Sequence, residues 1–293
     1  MITRKPIFTD RLSGWHLLAA TALAALGVAV TWDAWVEIFQ YALRDEEASH
    51  IFIVPFVAGA MLWVRRMRFR HCRPSGTIIG PIGVVAGWML STYGFNHGHT
   101  VFYHLGSLLV VLGCFFSVLG KNALIRFFPA VAVLAFIVPI PGQIRAASAV
   151  PLEHWTAQIA QTLLDVMGVP TELSGNLLTI NGIDVTIIEA CNGMRMVFPL
   201  FLIAYAFCFG LPLRQSVRFL LLAASPLTAI VCNVIRTLPI IWLYGYSSGK
   251  VARTLHDYAG WLMLPVAFLL LLGLIRILEW TLLPVKRYTL ASQ

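Results

Sequence analysis

The chain has 293 residues, 59% of them hydrophobic and 12% charged, with a mean hydropathy of +0.80; soluble domains carry about 25% charged residues, so an aqueous globular fold is excluded. The formal net charge of +8 does not indicate nucleic acid, because no soluble stretch gathers the cations on one face. An integral membrane protein remains, with the lipid bilayer as its solvent and one transmembrane domain over 1–293.

Apolar runs long enough to cross a bilayer, about 20 residues each, occur at roughly 14–32, 49–64, 77–95, 101–119, 122–140, 191–210, 216–235 and 259–283. The expected fold class is therefore all-α and polytopic, with about eight transmembrane helices. The second run is short, and the fifth contains Arg126. Trp32-Asp33-Ala34-Trp35, after the first run, reads as an interfacial belt and not as a small-residue cleavage site, so that run counts as a span.

Arg4, Lys5 and Arg11 precede the first run; Arg65, Arg66, Arg68, Arg70 and Arg73 follow the second; Lys121 follows the fourth, Arg214 and Arg218 the sixth, Lys286 and Arg287 the eighth. With eight spans these cations share one side, which the positive-inside rule makes the cytoplasm, with both termini in it. The acids, among them Asp33, Glu37, Glu153, Asp165, Glu189 and Asp257, sort to the other side.

In the outer loop before the fourth span and at that span's start, "NHGHTVFYH" supplies His97, His99 and His104. Imidazoles so placed can bind a metal, but no carboxylate or cysteine lies beside them in sequence, and no metal site is expected. The longest outer segment, roughly 141–190, begins with Leu152, Trp155, Ile159, Leu163 and Val166 at helical spacing, opposite Glu153, His154, Gln158, Gln161 and Asp165. That pattern fits an amphipathic helix lying on the membrane surface, and equally an ordinary packing helix. Beyond Gly168 and Pro170, "NLLTINGIDVTII" puts Asn181-Gly182 between two β-rich runs, which predicts a short β-hairpin with a type I′ turn on the outer face.

Five cysteines, at 72, 114, 191, 208 and 232, form no CxxC pair, so neither a zinc site nor a disulfide framework is indicated. Four fall in spans or the cytoplasmic loop, where a thiol is a small hydrophobe. Cys191 is different: it comes off the end of a strand into the first turn of a helix, where free backbone amides and the helix dipole favour a thiolate. Arg195, at i,i+4, projects from the same face; it can stabilise that thiolate, bind a substrate carboxylate, or snorkel to the interface.

Two further segments deliver polar groups to the same outer edge. "VCNVIRTLPIIW" places Asn233 and Arg236 at the end of the seventh span, and "RTLHDYAGWL" places His256 just before the eighth. Ionisable groups at membrane depth are functional suspects. Cys191 as nucleophile, His256 as the base that takes its proton and returns it to a leaving amine, and Arg236 as the cation for an oxyanion make a set suited to acyl transfer through a thioester. Asp257 adjoins His256 but lies about 100° round a helix from it. No cofactor is called for.

"GVPTELSGNLLTINGIDVTIIEACNGMR", "NVIRTLPI" and "LHDYAGW" resemble the three signature regions of the exosortase/archaeosortase family of membrane cysteine transpeptidases, and "SHIFIVPFVAGAMLWVRR" resembles its early membrane motif. By position, the resemblance implies Cys191 as nucleophile, Arg236 as the essential arginine and His256 as third member, with Arg195, Asn192, Asn233 and Asp257 in substrate-binding or supporting places. Histidine at 256 resembles the bacterial branch; Asn192 departs from the serine usual after the family cysteine.

What the resemblance implies about function is cleavage of a C-terminal sorting signal, a Pro-Glu-Pro-like motif followed by one membrane helix and a basic tail, on exported proteins. It also implies a bacterial inner-membrane location, a periplasm-facing site, and an association of the sorted proteins with exopolysaccharide machinery. The competing class is a non-catalytic assembly factor or a transporter for exported polysaccharide. A transporter would gather its polar groups near the midplane; here they gather at the outer edge.

Overall fold

A computed structural model of the chain describes residues 13–72, 78–175, 177–186, 194–211, 213–247 and 249–280. The described residues are mostly helical, with one small antiparallel sheet, and the chain divides at Pro141/Gly142 into two units.

The first unit contains α1 (Gly14–Val30), α2 (Trp32–Arg44), α3 (Val54–Val64), α4 (Ile79–Asn96) and α5 (Thr100–Ala132). α1 and α2 meet at a bend of 79°. Thr31 stabilises the corner by donating to Gly27 O at 2.8 Å while accepting from Trp35 Nε1 at 3.0 Å. α2 was not expected from the apolar runs, although its buried Ala34, Ile38 and Ala42 stand at four-residue spacing beside exposed Asp33 and Glu37.

α4 and α5 pack through small residues. Gly80, Gly83, Gly87, Ser91 and Gly94 recur every three or four positions along α4 and face Gly106, Ser107, Gly113 and Ser117 of α5. A Cβ on Gly87 would lie 2.7 Å from Gly106 O and Val110 N. This close backbone approach is the small-residue packing of membrane helices, where lipid supplies no hydrophobic drive to bring helices together.

A straight helix spanning Thr100–Ile137, including its 3₁₀ extension, would be roughly 57 Å long at 1.5 Å per residue, nearly twice a bilayer core of about 30 Å. Gly120 at φ 78°, ψ 176° breaks it, a backbone that glycine adopts readily, and separates the fourth apolar run from the fifth.

The expected number of spans is not reproduced by helix length alone. Among the described residues, Thr100–Ile137 and Gln215–Tyr246 are long and apolar enough to cross a membrane, and the bent α1/α2 pair makes a third if taken as one span. Ala48–Val64, Phe198–Gly210 and Pro265–Leu278 are shorter apolar helices. α4 has the length, 18 residues, but its glycines dilute its hydropathy. Large apolar side chains remain exposed on both units, including Phe56, Trp63 and Phe95 on the first and Phe219, Leu227 and Trp280 on the second. Surfaces of this kind are covered by lipid.

The second unit contains α6 (Gly142–Val166), β1 (Thr171–Ser174), β2 (Leu177–Ile180), β3 (Ile183–Thr186), α7 (Met194–Gly210), α8 (Gln215–Tyr246) and α9 (Gly249–Trp280). The hairpin forms as expected: Ile180 pairs with Ile183 across Asn181-Gly182, whose φ values of 52° and 72° meet the type I′ requirement. β1 was not anticipated. It pairs antiparallel with β2, Ser174 opposite Leu177, and Gly175 at φ 64° sits in the turn. The signal was the "SGN" before Leu177, since Gly-Asn is also a hairpin turn pair. α7, α8 and α9 pack through Leu200, Ala204, Ala229, Cys232, Ala267 and Leu271.

Candidate active site

The second unit has an apolar cluster that joins its sheet to three of its helices. Leu178, Ile180 and Val185 of the sheet pack with Ala157, Ala160 and Leu164 of α6, Ile240 and Ile241 of α8, and Ala259 of α9, with Leu255 partly buried against them. Polar ties fix the sheet in place. Asp165 Oδ1 accepts from Thr171 N at 3.2 Å and Thr171 Oγ1 at 3.1 Å, and Asn181 Nδ2 donates to Gly245 O at 3.3 Å.

This packing gathers the segments that carry the expected site. Val185 lies in the strand that leads toward Cys191, Ile240 is one helical turn beyond Arg236, and Leu255 and Ala259 flank His256. Cys191 and Asn192 themselves lie outside the described residues, as do the side chains of Arg195, His256 and Asp257. The backbone puts Arg195 in the first turn of α7 and both His256 and Asp257 within α9.

Asn233 and Arg236 are fully described. Both are on α8, three positions apart and hence on one face, with Asn233 0% and Arg236 3% exposed and Thr237 next to them 0% exposed. They do not end the helix: α8 continues past Arg236 to Tyr246, roughly another 15 Å. The polar residues are interior to a long helix, and the sheet packs on its last turns. An apolar run marks where hydropathy falls, and Asn233 and Arg236 lower it without ending the helix.

Asn233 Nδ2 donates to Thr156 Oγ1 of α6 at 3.1 Å, and its Oδ1 has no hydrogen-bond partner among the described residues. Thr156 is 0% exposed. It was not singled out in the sequence, because it falls between the two faces assigned to that helix. The apolar stripe expected there is in fact outward: Trp155 is 52% and Val166 81% exposed, and Ile159 and Leu163 are exposed too. The inward face is Thr156, Ala157, Ala160 and Leu164. α6 thus packs inward through Thr156, two alanines and Leu164 and leaves Trp155, Ile159, Leu163 and Val166 exposed for lipid, so elements of both expectations hold.

The other described cysteines behave as small hydrophobes. Cys72, Cys208 and Cys232 are buried and Cys114 is half-buried. Burial pushes the Cys72 thiol up from its ordinary range, with only partial opposition from the Arg126 charge. Of the three histidines in "NHGHTVFYH", His97 and His99 both lie against Tyr93, and His104 is buried with its Nε2 3.2 Å from Glu37 Oε2. The tertiary structure thus supplies a carboxylate that the local sequence lacked. Among the described residues no group of three or more His, Cys, Asp or Glu side chains is arranged to hold a metal. A recess of about 200 Å³ in the first unit is lined by Asp33, Trp88, Ser91, Tyr103 and Ser107, among others, and by none of the expected site residues.

A family model described as Transmembrane exosortase (Exosortase_EpsH) matches residues 42–273. No curated protein and no solved structure matches the chain. The matched range takes in every residue of the candidate site, from the sheet into α9, and most of the chain; the protein is a member of the transmembrane exosortase family.

Proposed function

We propose that this protein is a membrane-embedded cysteine transpeptidase that cleaves the C-terminal sorting signal of exported proteins at the outer face of the bacterial inner membrane. The observation that carries the reading is the apolar cluster joining β3, α8 and α9, the elements adjoining Cys191, Arg236 and His256, in a chain of the exosortase family.

In this reading the Cys191 thiolate attacks the scissile carbonyl, and His256 holds the thiol proton and passes it to the departing amine. Collapse of the tetrahedral intermediate leaves the acyl group on Sγ as a thioester, which water or an acceptor amine then releases. Arg236 stabilises the oxyanion. A permanently charged guanidinium in a buried, low-dielectric position acts far more strongly than one in water, and the burial of Arg236 supports that role. Asn192, Asn233 and Asp257 support the site, and Arg195 or Arg236 binds the Glu carboxylate of a Pro-Glu-Pro-like motif.

The protein works as one domain over 1–293, with about eight spans and both termini in the cytoplasm, and receives the substrate's membrane helix laterally. β3 is an edge strand of the sheet, so the extended motif can pair with it by strand addition; undiminished processing after removal of the Asn181-Gly182 turn would sink that part. The processed proteins are destined for surface display alongside exopolysaccharide machinery.

The test is processing of a co-expressed sorting-signal substrate by wild type, Cys191→Ala and Cys191→Ser, followed by intact mass of the enzyme. The expected result is loss of cleavage in both variants at normal membrane levels, with a thioester-linked fragment on Cys191 in wild type. Full cleavage by Cys191→Ala would overturn the assignment and favour an assembly or transport role.

A further inference from the structure

One side chain of α6 reaches the buried polar face of α8. Among the described residues, Thr156 is the one polar side chain in the fully buried face that α6 presents, the others being Ala157, Ala160 and Leu164. Its Oγ1 accepts the Asn233 Nδ2–H at 3.1 Å, with both residues 0% exposed. Asn233 is one helical turn from Arg236 on the same face of α8.

We propose that Thr156 is a positioning residue for the transpeptidase reaction: its hydroxyl holds the Asn233 amide and thereby fixes the rotation of α8 that presents Arg236. The inference rests on the function proposed above and extends the site to α6, an element without a candidate catalytic residue.

Three physical points support it. First, the small side chains Ala157 and Ala160 let α6 approach α8 closely but give no directional preference, since apolar contact is nearly isotropic. A hydrogen bond of 3.1 Å is directional, and the Thr156–Asn233 pair makes one between the side chains of these two helices. Second, Asn233 Oδ1 already lacks a partner among the described residues, so loss of the Thr156 hydroxyl leaves a fully buried amide with neither end satisfied there, which the structure relieves by moving α8 or the side chain. Third, oxyanion stabilisation depends on donor position to within about 0.5 Å, so a small rotation of α8 reaches the chemistry. The other end of α6 is held independently, by Asp165 and Gln161 to Thr171; the helix therefore stays docked when Thr156 changes.

The experiment uses the full chain, purified and reconstituted in lipid vesicles, with a substrate carrying the sorting motif and its membrane helix. Thr156→Val keeps the shape and removes the hydroxyl; Thr156→Ser keeps the hydroxyl. The expected result is a kcat about tenfold lower for Thr156→Val, the size of one buried hydrogen bond at about 1.4 kcal/mol per tenfold, with KM near wild type and kcat restored in Thr156→Ser. If Thr156→Val does not accumulate, Thr156→Ala provides the same comparison. Wild-type kcat without the hydroxyl, a change in KM alone, or equal loss in Thr156→Ser would each overturn the positioning role. Cys191→Ala, run in parallel, separates the two claims: its full activity would overturn the proposed function, whereas its inactivity together with full activity of Thr156→Val would overturn the inference alone.

Discussion

The two units reach stable packing by opposite means. In the first, α4 and α5 meet backbone to backbone along a line of glycines and serines, and the buried polar side chains among the described residues are Thr31, His50, Ser91, His104 and Ser107, none of them an arginine. In the second, large side chains such as Leu164, Leu178, Ile180, Ile240 and Ile241 fill the core between sheet and helices, and Asn233, Arg236 and Thr237 are buried with them. Buried polar groups are expensive. The second unit nevertheless retains an arginine at 3% exposure, which is what the proposed function would require of it.

The contrast can be broken most sharply at Gly87. Gly87→Val places a branched side chain against Gly106 O and Val110 N, backbone atoms that cannot swing aside, and is expected to destabilise the protein by about 3 kcal/mol or more; thermal unfolding in detergent measures it. Leu178→Ala attacks the second unit through a cavity and should cost about 2–5 kcal/mol by the same assay, while leaving an isolated α4–α5 contact, probed by a cysteine crosslink, unchanged.

Smaller effects sharpen the comparison. A Cβ on Gly59 of α3 meets nothing within 4 Å, so Gly59→Ala should stabilise by up to about 1 kcal/mol through helix propensity. A destabilising result would mean that this glycine packs like those of α4. Finally, Thr156→Val combined with Asn233→Leu removes both partners of the buried hydrogen bond and should leave stability within about 0.5 kcal/mol of wild type, or higher, while processing is lost. If stability fell and processing survived, the polar pair would serve the fold and the difference between the units would lie elsewhere.

Much of this was legible in the sequence. The Asn181-Gly182 hairpin followed from local chemistry, because a type I′ turn needs two positive φ values and few residue pairs supply them. The fourth and fifth runs were separable at Lys121, while the break itself, at Gly120, was not singled out. β1 and α2 carry no apolar run to announce them: β1 is "TELS" and α2 alternates Asp33, Glu37 and Gln40 with its buried side chains. The α4–α5 glycine line was equally visible at its three- and four-residue spacing, but spacing does not name a partner.

The sequence alone determined the solvent and the apolar runs and supplied the distribution of cations and the residues proposed for the chemistry, since these depend on composition and on neighbours within a turn or two. The tertiary structure decided which side of α6 faces inward, that Glu37 meets His104, that α8 carries Arg236 in its interior, and that Thr156 reaches Asn233 across 77 residues of chain. The physical reason is range. Propensity and hydropathy act between neighbours in sequence, whereas burial and directional hydrogen bonds are set by elements that meet only once the chain has folded.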